Sequence, residues 1–135
     1  MKAINTYLIF DGNCRKAMEF YKKCLGGKLS IMDYGDAPGC EKMPAKYKKW
    51  VIHARLTIGN EVLMASDTRI DMPVHQGNNF FISIQGKNVA HAQKLFKALS
   101  YKGKVEMPPQ ETFFAKSFCM FTDQFGIKWM INVEK

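Results

Sequence analysis

No apolar run in this sequence approaches the ~18 residues that a membrane-spanning helix needs. The start, MKAINTYLIF, is too short and wrongly flanked for a signal peptide. The four cysteines, Cys14, Cys24, Cys40 and Cys119, form no CxxC pair, which speaks against a zinc ribbon or a thioredoxin-like redox site. Free thiols in a reducing cytoplasm are expected, and with them a cytoplasmic location. Arginine is scarce: three residues, Arg15, Arg55 and Arg69, against 17 lysines. The formal charge of +8 therefore rests on lysine, and the lysines are spread over helix faces and loops. No helix-turn-helix, zinc-finger or RNP pattern accompanies them, so nucleic acid is not an expected partner. No Gly-rich loop follows a strand, which removes a nucleotide-binding fingerprint.

What is present is apolar and ordered. Hydrophobic residues make up 47% and aromatics 13%, enough for one domain or two small modules with a real core. Residues 13–25, NCRKAMEFYKKCL, place Cys14, Ala17, Met18, Tyr21, Cys24 and Leu25 on one helical face. Asn13 is the expected N-cap, and Gly26-Gly27 the stop. Residues 88–100, NVAHAQKLFKALS, repeat the pattern with Val89, Ala92, Leu95, Phe96 and Leu99. At an offset of 75, Asn13 meets Asn88, Ala17 meets Ala92, Tyr21 meets Phe96 and Lys22 meets Lys97.

The flanks repeat too. Strand-like runs precede the helices at 4–10 and 79–85 and follow them at 28–34 and 104–107. Each half then closes with a hairpin. Gly59-Asn60 makes a two-residue turn in the first, and the stretch from Asp123 to Gly126 makes the second. Loops are expected at 35–49, 67–78 and 108–116, the last opening on Pro108-Pro109. Each half thus reads as βαβββ, with modules at about 1–67 and 78–135. One helix covers one sheet face, so the other face must meet something else. The expected fold is α+β: two modules forming a curved mixed sheet, helices outside, with a central cleft suited to a small organic molecule.

Strand alternation assigns residues to that cleft. Trp50, Ile52, Ala54, Leu56 and Ile58 should meet the helix, and Val51, His53, Arg55 and Thr57 the cleft. The turn at Gly59-Asn60 sets Ile58 against Glu61, Arg55 against Met64 and His53 against Ser66. The same rule brings Asn5, Tyr7 and Ile9, Phe81, Ser83 and Gln85, Cys119 and Phe121, and Lys128, Met130 and Asn132 to the lining. Such a surface suits a neutral or anionic ligand better than a cation.

The stretches YLIFDGNCRKAMEFY (7–21), HARLTIGNEVLMASD (53–67), GKVEMPPQETFFAKSF (103–118) and TDQFGIKWMINV (122–133) resemble the vicinal oxygen chelate superfamily, and within it the PhnB-like, glyoxalase-like branch. That superfamily includes glyoxalase I, extradiol dioxygenases and bleomycin-resistance proteins. The branch usually has Trp where Phe114 stands. The resemblance implies a homodimer. It also implies four metal-ligand positions, which fall on Asn5, Met64, Phe81 or a neighbour, and Met130. None is a good ligand for a hard divalent ion, so no metal cofactor is expected. His53 belongs to the PhnB-like pattern and stands on the strand beside a ligand position.

His53 is expected to face the cleft, where an imidazole can contact a ligand or do acid/base work. Its bland alternative is a ring bonded to Ser66 or to backbone. Glu111 sits beside Phe113 and Phe114 in a loop at the cleft mouth, where a carboxylate can do acid/base work; its bland alternative is a loop carboxylate paired with lysine. His75 and His91 are expected to be solvated. His53 and Glu111 are thus the catalytic candidates, and Asn5, Tyr7, Arg55, Met64, Ser66, Phe81, Phe114 and Met130 the ligand-binding ones. Three functions stand open: a metal-independent enzyme acting through His53 and Glu111, a non-catalytic sequestering protein of the bleomycin-resistance type, and a metal-dependent glyoxalase-like lyase.

Overall fold

The computed structural model describes residues 1–135. The chain forms two compact units, Met1–His75 and Gln76–Lys135. In the first, β1 (Thr6–Phe10) leads into α1 (Cys14–Leu25), then β2 (Lys28–Asp33), β3 (Val51–Ile58) and β4 (Glu61–Asp67). In the second, β5 (Ile82–Gln85), α2 (Val89–Leu99), β6 (Lys104–Gln110), β7 (Ala115–Thr122) and β8 (Lys128–Glu134) follow the same plan. The fold is α+β, with two βαβββ modules as expected. Each sheet is mixed. Its order is first-fourth-third-second strand in both units, with a parallel pair β1–β4 or β5–β8 and antiparallel pairs elsewhere.

Each helix buries its apolar stripe on one face of its own sheet. In α1 the stripe is Cys14, Ala17, Met18 and Tyr21; in α2 it is Ala92, Leu95 and Leu99. The sheets answer with Leu8, Phe10, Ala54, Leu56, Leu63 and Ala65 in the first unit, and Cys119, Phe121, Trp129, Ile131 and Val133 in the second. Burying one large aliphatic or aromatic side chain stabilises by roughly 1.5–3 kcal/mol, so these stripes fix which sheet face is covered. Helix α1 ends at Gly26 and Gly27, both at positive φ, as the sequence predicts.

Five local expectations are corrected. Asn13 makes no side-chain cap to α1; that work falls to Asp67, whose Oδ1 accepts the backbone N–H groups of Gly12 (2.8 Å) and Cys14 (3.0 Å). Asn88 does cap α2, accepting from His91 N at 2.8 Å. Val51 faces the helix, not the open side: Met32 pairs with His53 but Asp33 pairs with Val51, so a bulge at Ile52 reverses the alternation. Cys119 and Phe121 pair with Ile131 and Trp129 in the covered face, which leaves Phe118, Met120 and Thr122 on the open one. Pro108-Pro109 lie within β6, an edge strand where a missing N–H costs little, so the loop before β7 shrinks to 111–114. His91 is half-buried, and its Nδ1 accepts from Lys87 N.

Candidate functional site

The open face of the first sheet is built by alternation on β1, β3 and β4. Leu8 and Phe10 are sealed against the helix at 3% exposure each, while their neighbours Tyr7 and Ile9 stand at 42% and 45%. The two-residue turn at Gly59-Asn60 closes the β3–β4 ladder with Ile58 opposite Glu61 and Arg55 opposite Met64, as the sequence predicts. Across the whole sheet this makes a row Ser30–Arg55–Met64–Tyr7. The β3–β4 ladder stops at Ala54–Ala65, one step short of His53 and Ser66.

His53 is half-buried, beside Met32 on β2, and takes its hydrogen bond from elsewhere than Ser66. Tyr7 Oη lies 3.1 Å from His53 Nδ1, and the two rings sit 5.7 Å apart at a 34° tilt. Ser66 lies beside Ile9 and is buried. Arg55, two residues along the same strand, is exposed and enters no ion pair. The hydroxyl of Tyr34 donates to the carbonyl of Asp67 at 3.4 Å. Burial holds the proton on that phenol, with Asp67, Cys40 and Tyr7 acting in the same direction and Arg69 against it. Tyr34 was not legible as a neighbour of this surface, because it lies in a short 3-10 turn outside any strand alternation.

The open face of the second sheet has a different character. Thr122 Oγ1 donates to Glu106 Oε1 at 2.5 Å, and Lys128 Nζ reaches Glu106 at 3.3 Å and Thr122 at 3.2 Å. The same ammonium stands 5.4 Å from the Phe81 ring centre. Burial of Glu106 opposes its ionisation, but the bonds from Thr122 and Lys128 outweigh it and lower the carboxyl pKa. Met130 lies between Ser83 and Met120. Asn132 donates to Gln85 at 3.1 Å, while its Oδ1 is buried without a partner. Phe113, Phe114 and Phe118 form an edge-to-face chain with ring centres 5.2 Å apart at each step. Glu111 is exposed and pairs with Lys135 at 3.1 Å. Asn5 precedes β1 and is exposed, and Phe81 precedes β5.

The structure thus gathers Tyr7, Arg55, His53 and Met64 on one sheet face of the first unit, and Phe81 and Met130 on one of the second. Glu106 and Thr122 were missed; Glu106 is the extra residue of a β6 bulge that only register reveals. As for a metal, the residues at the positions carried over from the superfamily are an amide, two thioethers and a phenyl ring, which do not fit a hard divalent ion. No group of three or more His, Cys, Asp or Glu side chains lies where it could hold one.

A pair of βαβββ modules, each with one sheet face left open by its helix, is an architecture built by internal repetition. The chain belongs to the Glyoxalase/Bleomycin resistance protein/Dioxygenase superfamily, whose family pattern matches residues 3–131. It is 33% identical over 143 residues to Protein YjdN of Escherichia coli (strain K12), covering 98% of this chain and 95% of that one. The crystal structure of protein PA1353 from Pseudomonas aeruginosa is similar at 44% identity and a TM-score of 0.91, over 99% of this chain and 98% of that one. The structure of a PhnB protein from Bacillus cereus shares the fold at 22% identity and a TM-score of 0.80, over 98% of this chain and 99% of that one. No helix is long and apolar enough to cross a membrane.

Proposed function

We propose that the protein binds a small organic molecule on the open face of its first sheet, with His53 as the group that hydrogen-bonds to it. The observation that carries this reading is the Tyr7–His53 pair beside an unpaired Arg55 on a surface of thioether and aliphatic groups. Arg55 is exposed and Nε2 of His53 has no protein partner, so both are available to hydrogen-bond a ligand, and Met32, Met64 and Ile9 offer an apolar bed beside them. The second unit, on its own sheet, carries Phe81, Phe114 and Met130 as separate apolar candidates, and Asn5 and Ser66 remain polar candidates on the first. Glu111 is the second acid/base candidate, and its pair with Lys135 must open before it can act. The working form proposed is a cytoplasmic homodimer, checked by light scattering after gel filtration.

A thermal-shift screen of small organic acids and neutral metabolites tests the reading. A true ligand raises the melting temperature of the wild type and fails to do so for His53→Ala and Arg55→Ala. Equal stabilisation of all three proteins removes this surface from consideration. The sequestering alternative is favoured by one feature: no Ser or Cys nucleophile is supported by a His and a carboxylate on either face. Mass spectrometry of the ligand after incubation separates the two, since a sequestered ligand returns unchanged and a substrate does not. In the enzymatic case, Glu111→Gln is expected to slow turnover while leaving binding intact.

A further inference from the structure

The two nitrogens of His53 are in different company. Nδ1 faces the phenol of Tyr7 at 3.1 Å, and Nε2 has no protein partner. A phenol is the better proton donor of such a pair and a neutral imidazole nitrogen the better acceptor, since phenol oxygen is a weak acceptor. Tyr7 O–H therefore donates to Nδ1, and the ring proton is driven to Nε2. We infer that Tyr7 is a positioning residue that locks His53 as an Nε2–H donor, and that His53 and Arg55 together receive the oxyanion of an organic acid.

The inference rests on the proposed ligand site and sharpens it. An Nε2–H imidazole cannot take a proton at that nitrogen, so in its resting state His53 offers a hydrogen bond rather than a base. Arg55 shares its face two residues away, about 7 Å along the strand, a distance one carboxylate can bridge between two long side chains. Neither group is neutralised by a protein carboxylate. The apolar surroundings, Met32, Met64 and Ile9, then receive the body of the acid. Charge-assisted hydrogen bonds of this kind are shorter and stronger than neutral ones, which gives an anion the advantage over its amide.

Two independent readouts test it on the full chain. Long-range nitrogen–proton NMR of protein labelled at histidine, at about pH 8.5 where ordinary imidazoles are neutral, reads the tautomer directly without any ligand. The Nε2–H pattern is expected at His53, and Tyr7→Phe is expected to convert it to a mixture of both tautomers. An Nδ1–H pattern in the wild type, or no change in Tyr7→Phe, overturns the positioning role. The second readout uses benzoate, with benzamide as the neutral control, followed through the side-chain resonances of His53 and Arg55. Benzoate is expected to shift both and benzamide neither. His53→Gln, whose amide N–H stands near the Nε2 position, should keep benzoate binding to within about threefold, and His53→Ala should lose about tenfold or more. Equal responses to the two probes, or none, overturn the oxyanion assignment. A correct tautomer with no benzoate response leaves the Tyr7 role standing and sinks the ligand reading alone.

Discussion

Replacing Asp67 by Asn should be among the most damaging single-atom changes available in this protein. Asp67 is 2% exposed and ends β4. Its Oδ1 accepts from Gly12 N at 2.8 Å and Cys14 N at 3.0 Å, and its Oδ2 accepts from Val51 N at 2.8 Å. One carboxylate thereby ties the start of α1 and the start of β3 to the end of β4. An amide oxygen at the Oδ1 position keeps two of these bonds, now without charge assistance, at a cost of about 1 kcal/mol each. The amide nitrogen then faces the Val51 N–H, donor against donor, and a buried donor left unmade costs about 1–3 kcal/mol more. The sum, about 3–5 kcal/mol, is a large share of the stability of a domain of this size. Urea unfolding at neutral pH is the assay, with Asp71→Asn as control because Asp71 is exposed and only loosely paired with Arg69 at 3.7 Å. Faster amide exchange at Cys14 and Val51 should accompany the loss. A penalty below about 1 kcal/mol, or one equal to that of the control, would show that water or backbone adjustment replaces the carboxylate and that the three-way tie is not structural.

Three further outcomes follow from the same contacts. Burial first, and then Asp67, push the Cys14 thiol up to about 12, and burial raises Cys119 as well; a thiol reagent on native protein should therefore label the half-buried Cys24 and Cys40 first, with Cys14 and Cys119 reacting only on unfolding. Glu106 has a folded pKa below its ordinary 4.5, so its contribution to stability is present above that value and is lost as pH falls through the folded pKa; a carboxyl NMR titration should find its midpoint depressed, and Thr122→Val should move it upward, an unchanged midpoint counting against the Thr122–Lys128 cradle. Gly27 and Gly26 both have positive φ, but a Cβ on Gly27 would meet the Thr57 carbonyl oxygen at 2.4 Å while one on Gly26 meets nothing within 4 Å; Gly26→Ala should cost about 1–3 kcal/mol, because its φ of 79° and ψ of -159° are adopted essentially by glycine alone, and Gly27→Ala clearly more in the same thermal unfolding experiment.

Both helices and the β3–β4 hairpin were legible because their signals are local: a 3.6-residue apolar period, a pair of glycines, and a two-residue turn that leaves one register. The errors have non-local causes. The cap on α1 is supplied from 53 residues away, so Asn13 looked sufficient in the sequence. The alternation in β7 was phased wrongly because both faces of AKSFCMFT carry apolar residues. Its phase is set by closure of the 123–127 turn with Thr122 opposite Lys128, held by Asp123 accepting from the N–H groups of Phe125 and Ile127 at 2.8 and 3.0 Å. Once that closure is known, Phe121 falls opposite Trp129, and the covered face follows. Val51 and Glu106 were misplaced or missed for one shared reason: a bulge reverses alternation without any residue type that announces it. His53 and Arg55 were legible as face-sharing residues, but the partner of His53 lies 46 residues away on a strand that pairs with β4 rather than β3.

The internal repeat accounts for the fold, and the proposed ligand site lies where the two copies diverge. Sheet order, helix placement and the methionine on the open side of the last strand of each unit, Met64 and Met130, recur. The polar groups do not. On the second sheet Lys128 is answered by Glu106 and Thr122, Asn132 donates to Gln85, and Asn132 Oδ1 is the one buried side-chain acceptor left without a partner. On the open face of the first sheet two polar groups are not answered: Arg55 has no carboxylate, and His53 spends one nitrogen on Tyr7 and keeps the other. A surface whose donors satisfy one another gains little by binding a polar ligand, whereas one with spare directed donors over an apolar bed gains a hydrogen bond for each group it engages. That asymmetry favours His53 and Arg55 as the proposed ligand groups over Glu111, whose carboxylate already has an ammonium partner in Lys135.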